Sequence, residues 1–362
     1  MKQKIYLNGR FLGQTLTGVQ RYALEVIKAV DLLIEANEIE NNKYEFTLLI
    51  PSKVNTDLSL KHIQLKKVGP FNGQLWEQFT LPFFTFDGML INLCNTAPIL
   101  NSEQVVTIHD ASASANKQNF SFAFRTWYQL LHHILPKRVR KIFTVSNFSK
   151  EELLKYYPMK PEQIEAIHIG IDHLKDIEED EAILKTQRLI PKQYILAVSS
   201  LNPNKNFNGL VESLQQTKNH QMDIVIVGDK KNPIYNKTSL IREKNVHLVG
   251  YVSDAQLRSL YRHAKCFVFP SYYEGFGLPP LEAMLLGCPV IASNVASMPE
   301  VLQDAVLYCD PTDTKNIAQQ VDRLLDDEQL QQVLVTKGYI QSAKYTWKAC
   351  AYKLFKNIEE VL

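Results

Sequence analysis

Short apolar runs alternate along this chain with stretches in which apolar residues recur every three or four positions. In the first half, residues 5–8, 44–51, 62–68, 90–93, 104–108, 142–146 and 164–169 read as strands. Val19, Tyr22, Ala23, Val26, Ile27 and Val30 fall at helical spacing after the first of them, with Thr17 as the expected cap. The alternation restarts at 194–200 and continues through 223–228, 246–250, 266–269, 289–292 and 305–309, with helices expected between these runs and at 312–326, 328–343 and 347–361. Strands that alternate with helices in both halves predict an α/β protein of two domains, their parallel sheets facing a cleft. The first domain is expected over 1–172 and the second over 193–344. Residues 173–192 are rich in charge and poor in core signals, and read as the linker or a surface helix between the domains.

Two segments leave their partner open. Residues 73–84 carry Trp76, Phe79, Leu81, Phe83 and Phe84, which fit the core or the lining of an acceptor groove, with the core expected for most of them. Residues 121–140 mix aromatic and aliphatic side chains with a basic end, Lys137-Arg138-Val139-Arg140-Lys141. That pattern fits an amphipathic face on an anionic membrane, or a core helix whose basic end complements its dipole. The buried-strand pattern that follows at once favours the core helix.

Length and composition then narrow the class. With 362 residues, 45% hydrophobic and 22% charged, the chain can build two ordinary soluble cores. A formal net charge of +2 makes no case for nucleic acid as a partner. Cys94, Cys266, Cys288, Cys309 and Cys350 are scattered, odd in number and without metal-ligand spacing, so they read as reduced core residues. The start Met1-Lys2-Gln3-Lys4 runs directly into the first strand, and no apolar run approaches the ~20 residues that cross a bilayer. A cytoplasmic protein is expected, with contact at the inner face of the membrane left open.

The candidate chemistry concentrates in residues 270–289, Pro-Ser-Tyr-Tyr-Glu-Gly-Phe-Gly-Leu-Pro-Pro-Leu-Glu-Ala-Met-Leu-Leu-Gly-Cys-Pro. This stretch leaves one apolar strand and returns by a helix to the next, so its turn falls at the carboxyl end of a strand, where open parallel sheets bind ligands. Gly275 and Gly277 admit positive φ and close backbone approach, and amides from Gly275, Phe276, Gly277 and Leu278 beside a helix start offer an anion site. Glu274 before the turn and Glu282 after it can address hydroxyls of the same ligand. Phosphate and hydroxyls together describe a nucleotide sugar. On its own Glu-Gly-Phe-Gly is an ordinary turn, and a glutamate on a first helical turn ordinarily complements the dipole.

The longer pattern is more specific. Glu274-Gly-Phe-Gly-Leu-Pro-Pro-Leu-Glu282-Ala, followed by Gly287-Cys-Pro-Val-Ile-Ala-Ser and Met298-Pro-Glu300-Val, resembles the signature of the retaining glycosyltransferases of family 4. Thr144-Val-Ser-Asn-Phe-Ser-Lys150 and Gly170-Ile-Asp172 resemble the same family, although His168-Ile169 stand where an asparagine usually precedes that glycine. The resemblance implies the GT-B fold, two Rossmann-like domains, with the last helix (345–362) packing back on the first. It implies no cofactor and no metal, and a nucleoside diphosphate sugar as donor. Glu274 would hold hydroxyls of the transferred sugar and Glu282 those of the ribose. Gly18, in a loop at a helix start, would face the diphosphate, with Arg21 in electrostatic support. His109, with the acidic Asp110 beside it, would lie near the transferred sugar.

Lys205 matches one member of the basic pair that the family places on the donor diphosphate. The other is missing: Ser200 stands where arginine is common, and Asn204 precedes the lysine. The function implied is transfer of a hexosyl group, with retention, to a sugar hydroxyl of a growing surface polysaccharide, on an oligosaccharide or lipid-linked acceptor. The Gly-Val-Gln-Arg-Tyr start and the Pro-Pro pair resemble members acting in bacterial surface polysaccharide assembly, many of which use GDP-mannose. Rhamnosyl or glucosyl transfer from dTDP-rhamnose or a UDP-sugar, a sugar-nucleotide epimerase, and a silent nucleotide-sugar-binding protein remain alternatives.

Overall fold

Two parallel sheets organise the chain, each in its own unit: residues Met1–Gly170 with Thr346–Leu362, and residues Ile171–Tyr345. The computed structural model describes residues 2–199, 202–228 and 245–362. In the first unit β1 (Gln3–Asn8), β2 (Tyr44–Pro51), β3 (Gln64–Val68), β4 (Met89–Asn92), β5 (Gln104–Thr107), β6 (Lys141–Thr144) and β7 (Ile164–Ala166) lie in the order β3-β2-β1-β4-β5-β6-β7. In the second, β8 (Tyr194–Val198), β9 (Asp223–Val227), β10 (Val246–Gly250), β11 (Cys266–Phe269), β12 (Val290–Ser293) and β13 (Leu307–Cys309) run β10-β9-β8-β11-β12-β13.

This is the doubly wound order, and it explains why the strand patterns were so apolar. Helices cover both faces of such a sheet, so its central strands are buried on both sides. Every residue of β4, β5, β11 and β12 is buried. The strand order also fixes where a ligand can enter. β1 pairs with both β2 and β4, and β8 with both β9 and β11, so successive connections leave these strands in opposite directions. The crevice beyond the carboxyl ends of β1 and β4, and of β8 and β11, is where this fold binds ligands.

The helix Gly18–Glu35 starts as its sequence predicts, Thr17 donating its backbone N–H to Gln20 Oε1 at 3.3 Å. The final helix, Trp347–Glu359, packs Trp347, Ala351, Leu354, Phe355 and Ile358 into the first unit. Phe355 meets Tyr44 edge-on at 5.2 Å, and the Tyr44 hydroxyl donates to Glu359 at 2.9 Å. A Cβ on Gly170 would stand 2.1 Å from the Trp347 backbone nitrogen, so only glycine lets the two segments come this close.

Three expectations are corrected. Residues 171–192 belong to the second unit and do not form a free linker. Leu174, Ile183 and Leu184 are buried there, and Glu179 is held by Arg262 at 2.8 Å and Arg258 at 3.6 Å. The aromatic segment 73–84 is core only in part. Trp76 and Leu81 are fully buried, the Trp76 indole donating to the Val68 carbonyl, while Phe79 and Phe83 are 58% and 74% exposed. The segment around the helix Phe122–Ile134 is likewise core only in part: Leu131, Leu135 and Val139 enter one buried cluster with Trp127 packed against it, while Phe122, Phe124 and Leu130 are exposed. Among the described residues no helix is long and apolar enough to cross a membrane.

Candidate active site

At the carboxyl end of β8 the chain makes a 3-10 turn, Pro203–Lys205, whose shape is set by side chains. Asn202 accepts from the Asn204 N–H at 3.1 Å. Asn206 adopts the left-handed conformation (φ 54°), accepts from the Gly209 N–H and the Tyr272 hydroxyl, and donates to the Pro311 carbonyl at 2.7 Å. An asparagine tolerates that conformation because its side chain bonds locally. The fixed turn presents Lys205, whose Nζ lies 2.6 Å from Glu274 Oε1; the two side chains are 18% and 11% exposed. Glu274 follows β11 and is tied through its carbonyl, which accepts from Ser297 Oγ at 3.0 Å. Two of the residues singled out from sequence, far apart in the chain, thus form one ion pair at the switch point of the second sheet. Ser200 lies outside the described residues.

Beyond Glu274 the backbone reverses through Gly277, at φ 93°, into the helix Leu278–Leu285. Helix starts leave four amides without internal partners. Here Pro279 and Pro280 have no N–H, so Gly277 and Leu278 are the amides this turn can offer an anion. Phe276 is buried and packs edge-on against Tyr345 at 5.6 Å, so its ring serves the core and only its backbone can take part in binding.

Glu282 is set much deeper than its position suggested. It is 6% exposed, and its Oε2 accepts from the Tyr261 hydroxyl at 3.0 Å. Its Oε1 lies 3.3 Å from Nε2 of His173, which is itself buried. Burial, reinforced by this carboxylate, pushes the Tyr261 hydroxyl well above its ordinary pKa, so it stays a donor. Sequence reasoning missed both partners. His173 sits in the segment read as linker, and the signal that could have found it is its place directly after Gly170-Ile-Asp172.

In the first unit, His109 follows β5 and is 7% exposed. Its Nε2 stands 3.0 Å from the Leu93 carbonyl, which can only accept, so Nε2 carries the hydrogen and Nδ1 is left as an acceptor. Burial holds the imidazole below its ordinary pKa and so favours this neutral form. Asn95, in the left-handed conformation (φ 64°), accepts from the His109 N–H at 2.7 Å, and its carbonyl binds His132 Nε2 at 2.9 Å. Tyr22 packs edge-on against the His109 ring at 4.8 Å. Asp110 accepts from the Ser112 N–H at 2.8 Å, the turn-capping role common for this residue type.

The mouth of β1 holds a buried network that sequence reasoning also missed. Arg10 donates from Nε to Glu77 at 2.8 Å and from Nη2 to Thr96 at 2.9 Å, and Asn8 donates to both Glu77 and Asn92. Gly18 opens the helix Gly18–Glu35, and Arg21 reaches Glu25 one turn on, at 3.4 Å. The five thiols are free, and burial raises that of Cys94 to about 12. Glu179, Glu181 and His263 come within 4.8 Å of one another, but Glu179 already pairs with two arginines.

In sequence and in fold the chain is similar to proteins already known. Residues 178–341 fit the family model for glycosyl transferases group 1, and the chain carries that domain. The fold is GT-B and the protein is a glycosyltransferase. Among its relatives, O-antigen chain mannosyltransferase B of Escherichia coli is 29% identical over 94% of this chain and 96% of its own length. The serotype-specific mannosyltransferase WbdA of the same organism is 28% identical over 71% of this chain, which spans only 33% of that longer protein. Sucrose-phosphate synthase of Thermosynechococcus elongatus shares the fold at a TM-score of 0.75 and 18% identity, over 99% of each chain.

Proposed function

We propose that this glycosyltransferase moves a mannosyl group from GDP-mannose, with retention, to a sugar hydroxyl of a growing lipid-linked surface polysaccharide. The observation that carries the reading is the ion pair of Lys205 with Glu274 beyond β8 and β11, with Glu282 on the helix that follows, in a chain similar along nearly its whole length to an O-antigen mannosyltransferase.

In this reading the chemistry is electrostatic. As the bond from sugar to diphosphate breaks, negative charge grows on the phosphate oxygens, and fixed donors aimed at them lower the barrier. Lys205 and the amides of Gly277 and Leu278 supply that charge complement, with no step assigned to a metal. Lys205 then exchanges part of its bond to Glu274 for the phosphate, which frees Glu274 to accept from hydroxyls of the transferred sugar. Glu282 accepts from the ribose. The leaving phosphate takes the acceptor's proton, so no side chain is assigned as nucleophile.

The lipid-linked acceptor is supported by one surface. Residues 111–150 contain no Asp or Glu, but Lys117, Arg125, Lys137, Arg138, Arg140, Lys141 and Lys150. Arg140 and Lys141 are occupied by Glu103 and Glu360, so the membrane-facing charge is assigned to Arg125, Lys137 and Arg138, in the segment that also exposes Phe122 and Leu130. A basic side chain near an anionic surface contributes about 1 kcal/mol. The test is a transfer assay with GDP-mannose and a lipid-linked saccharide in anionic or neutral vesicles, the product's anomeric configuration being read by NMR. An α-mannosyl product, formed faster on anionic vesicles, is expected. Transfer from a dTDP- or UDP-sugar instead, or inversion at the anomeric carbon, would overturn the donor or the stereochemistry.

A further inference from the structure

We propose that the exposed row formed by Phe71, Leu75, Phe79, Phe83 and Phe86 is a docking surface for an anionic lipid bilayer, its side chains entering the interfacial layer. Resting on the reading of a lipid-linked acceptor, this adds insertion of apolar side chains to the electrostatic contact assigned to the basic segment.

Local sequence builds the row. Phe71, Leu75, Phe79 and Phe83 recur every four residues through the helix Gly73–Phe79 and the single turn Leu81–Phe84. Residues four apart on a helix share a face. Thr80 keeps right-handed helical angles between the two (φ −102°, ψ −51°), so the spacing carries on across the junction. The opposite side is spent on the core: Trp76, Glu77, Thr80 and Leu81 are buried. All four residues of the row are exposed, as is Phe86, at 80%. Single exposed apolar side chains are ordinary. Five of them between residues 71 and 86, on a segment whose other side already fills the core, form the kind of patch that marks an interaction site.

Charge selects the occupant. Residues 70–86 carry one ionisable side chain, Glu77, and it is buried against Arg10. Asp87 and Glu103, which line a shallow recess with Phe86, are neutralised by Lys4 and Arg140. Lys66 and Lys67 are exposed on β3, whose Val68 carbonyl holds the Trp76 indole. The row is also joined to the basic segment 111–150. Thr85 Oγ1 accepts from Asn101 Nδ2 at 2.9 Å, and Gln104 Nε2 donates to the carbonyls of Asn101 at 2.7 Å and Arg138 at 3.3 Å. Gln78 donates to the Ala97 carbonyl and accepts from the Ile99 N–H, and Ile99 packs on the cluster that holds Leu131 and Leu135. An uncharged apolar row bordered by cations fits a surface that is apolar inside and negative outside, as an anionic bilayer is. A second copy seated face to face on the row would instead bring like charges together.

The test is co-sedimentation of the full chain with vesicles of mixed phosphatidylethanolamine and phosphatidylglycerol, phosphatidylcholine vesicles being the neutral surface. Wild type is expected to bind the anionic vesicles and to keep part of that binding at about 0.5 M salt, where exposed charges are screened. Phe79→Ala/Phe83→Ala should weaken binding roughly 100-fold, the scale of keeping two phenyl rings out of apolar surroundings, and lose the salt-resistant part. Phe83→Trp should show more fluorescence quenching by brominated lipid than wild type. These positions are exposed, so the fold should hold. Should the double variant nonetheless unfold, Phe83→Trp and Phe86→Ser decide the question, the latter by a roughly tenfold loss of binding. If wild type binds anionic vesicles only at low salt and the double variant binds equally, insertion is wrong and the membrane reading of the acceptor stands. If wild type binds no vesicles, both fail. A dimer in sedimentation velocity that the double variant disperses, with vesicle binding unchanged, would assign the row to a second copy and overturn the proposal.

Discussion

Lys205→Ala is expected to lower turnover by about 10²–10³-fold, the effect of removing one donor that acts on transition-state charge. The lysine is well placed for that role. Its turn is locked by Asn202 and Asn206, its Nζ is 2.6 Å from Glu274, and Phe269 lies beneath it with its ring centre 5.8 Å away. The fold should survive, because the pair is partly open to solvent and Glu274 can be rehydrated. The donor's KM should also rise, since Glu274 loses the partner that orients it. Lys205→Arg should recover only part of the rate, because a planar guanidinium does not replace a compact ammonium at one point. Steady-state kinetics on the three forms would check this. A rate unchanged in Lys205→Ala would take the lysine out of the chemistry.

Glu77→Ala is expected to have the largest effect on stability, about 3–5 kcal/mol, because it strips a buried cation of its partner. Arg10 and Glu77 are 6% and 1% exposed, and Asn8 and Thr96 donate to the same carboxylate oxygen. Removing it leaves three donors without their acceptor at the ligand end of β1. For a unit of this size the thermal midpoint should fall on the order of ten degrees. By contrast, Asp304→Ala, which breaks a surface pair with Lys337, should hardly move it. Thermal and urea unfolding of both variants would decide; a Glu77→Ala midpoint equal to that of wild type would show that the network does not hold this corner of the fold.

Much of the fold was readable because its information is local. A strand buried on both faces must be apolar along its length, and the β4, β5, β11 and β12 segments are. The same holds for the turn around Gly277, whose positive φ and flanking prolines sit within a few residues of both glutamates. What could not be read is the pairing of distant residues. Nothing in periodicity links Lys205 to Glu274, His173 to Glu282 or Arg10 to Glu77. Nor does apolar character say which side of a short helix faces in: Trp76 and Leu81 enter the core, whereas Phe79 and Phe83 stay exposed. The acidic segment before β8 carries much charge and little core signal, yet Glu179 meets arginines more than seventy-five positions away in sequence.

The claim underlying these expectations is that the second sheet's switch point binds a nucleotide sugar through Glu282. It is met most directly by a thermal-shift panel of GDP-mannose, dTDP-rhamnose, UDP-glucose, UDP-galactose and UDP-N-acetylglucosamine on wild type and Glu282→Ala. At one hundred times its dissociation constant a ligand stabilises the folded state by about 2.7 kcal/mol. The account predicts that GDP-mannose raises the wild-type midpoint and that Glu282→Ala loses the response. No shift from any of the five at millimolar concentration, or an equal shift in the variant, would contradict it.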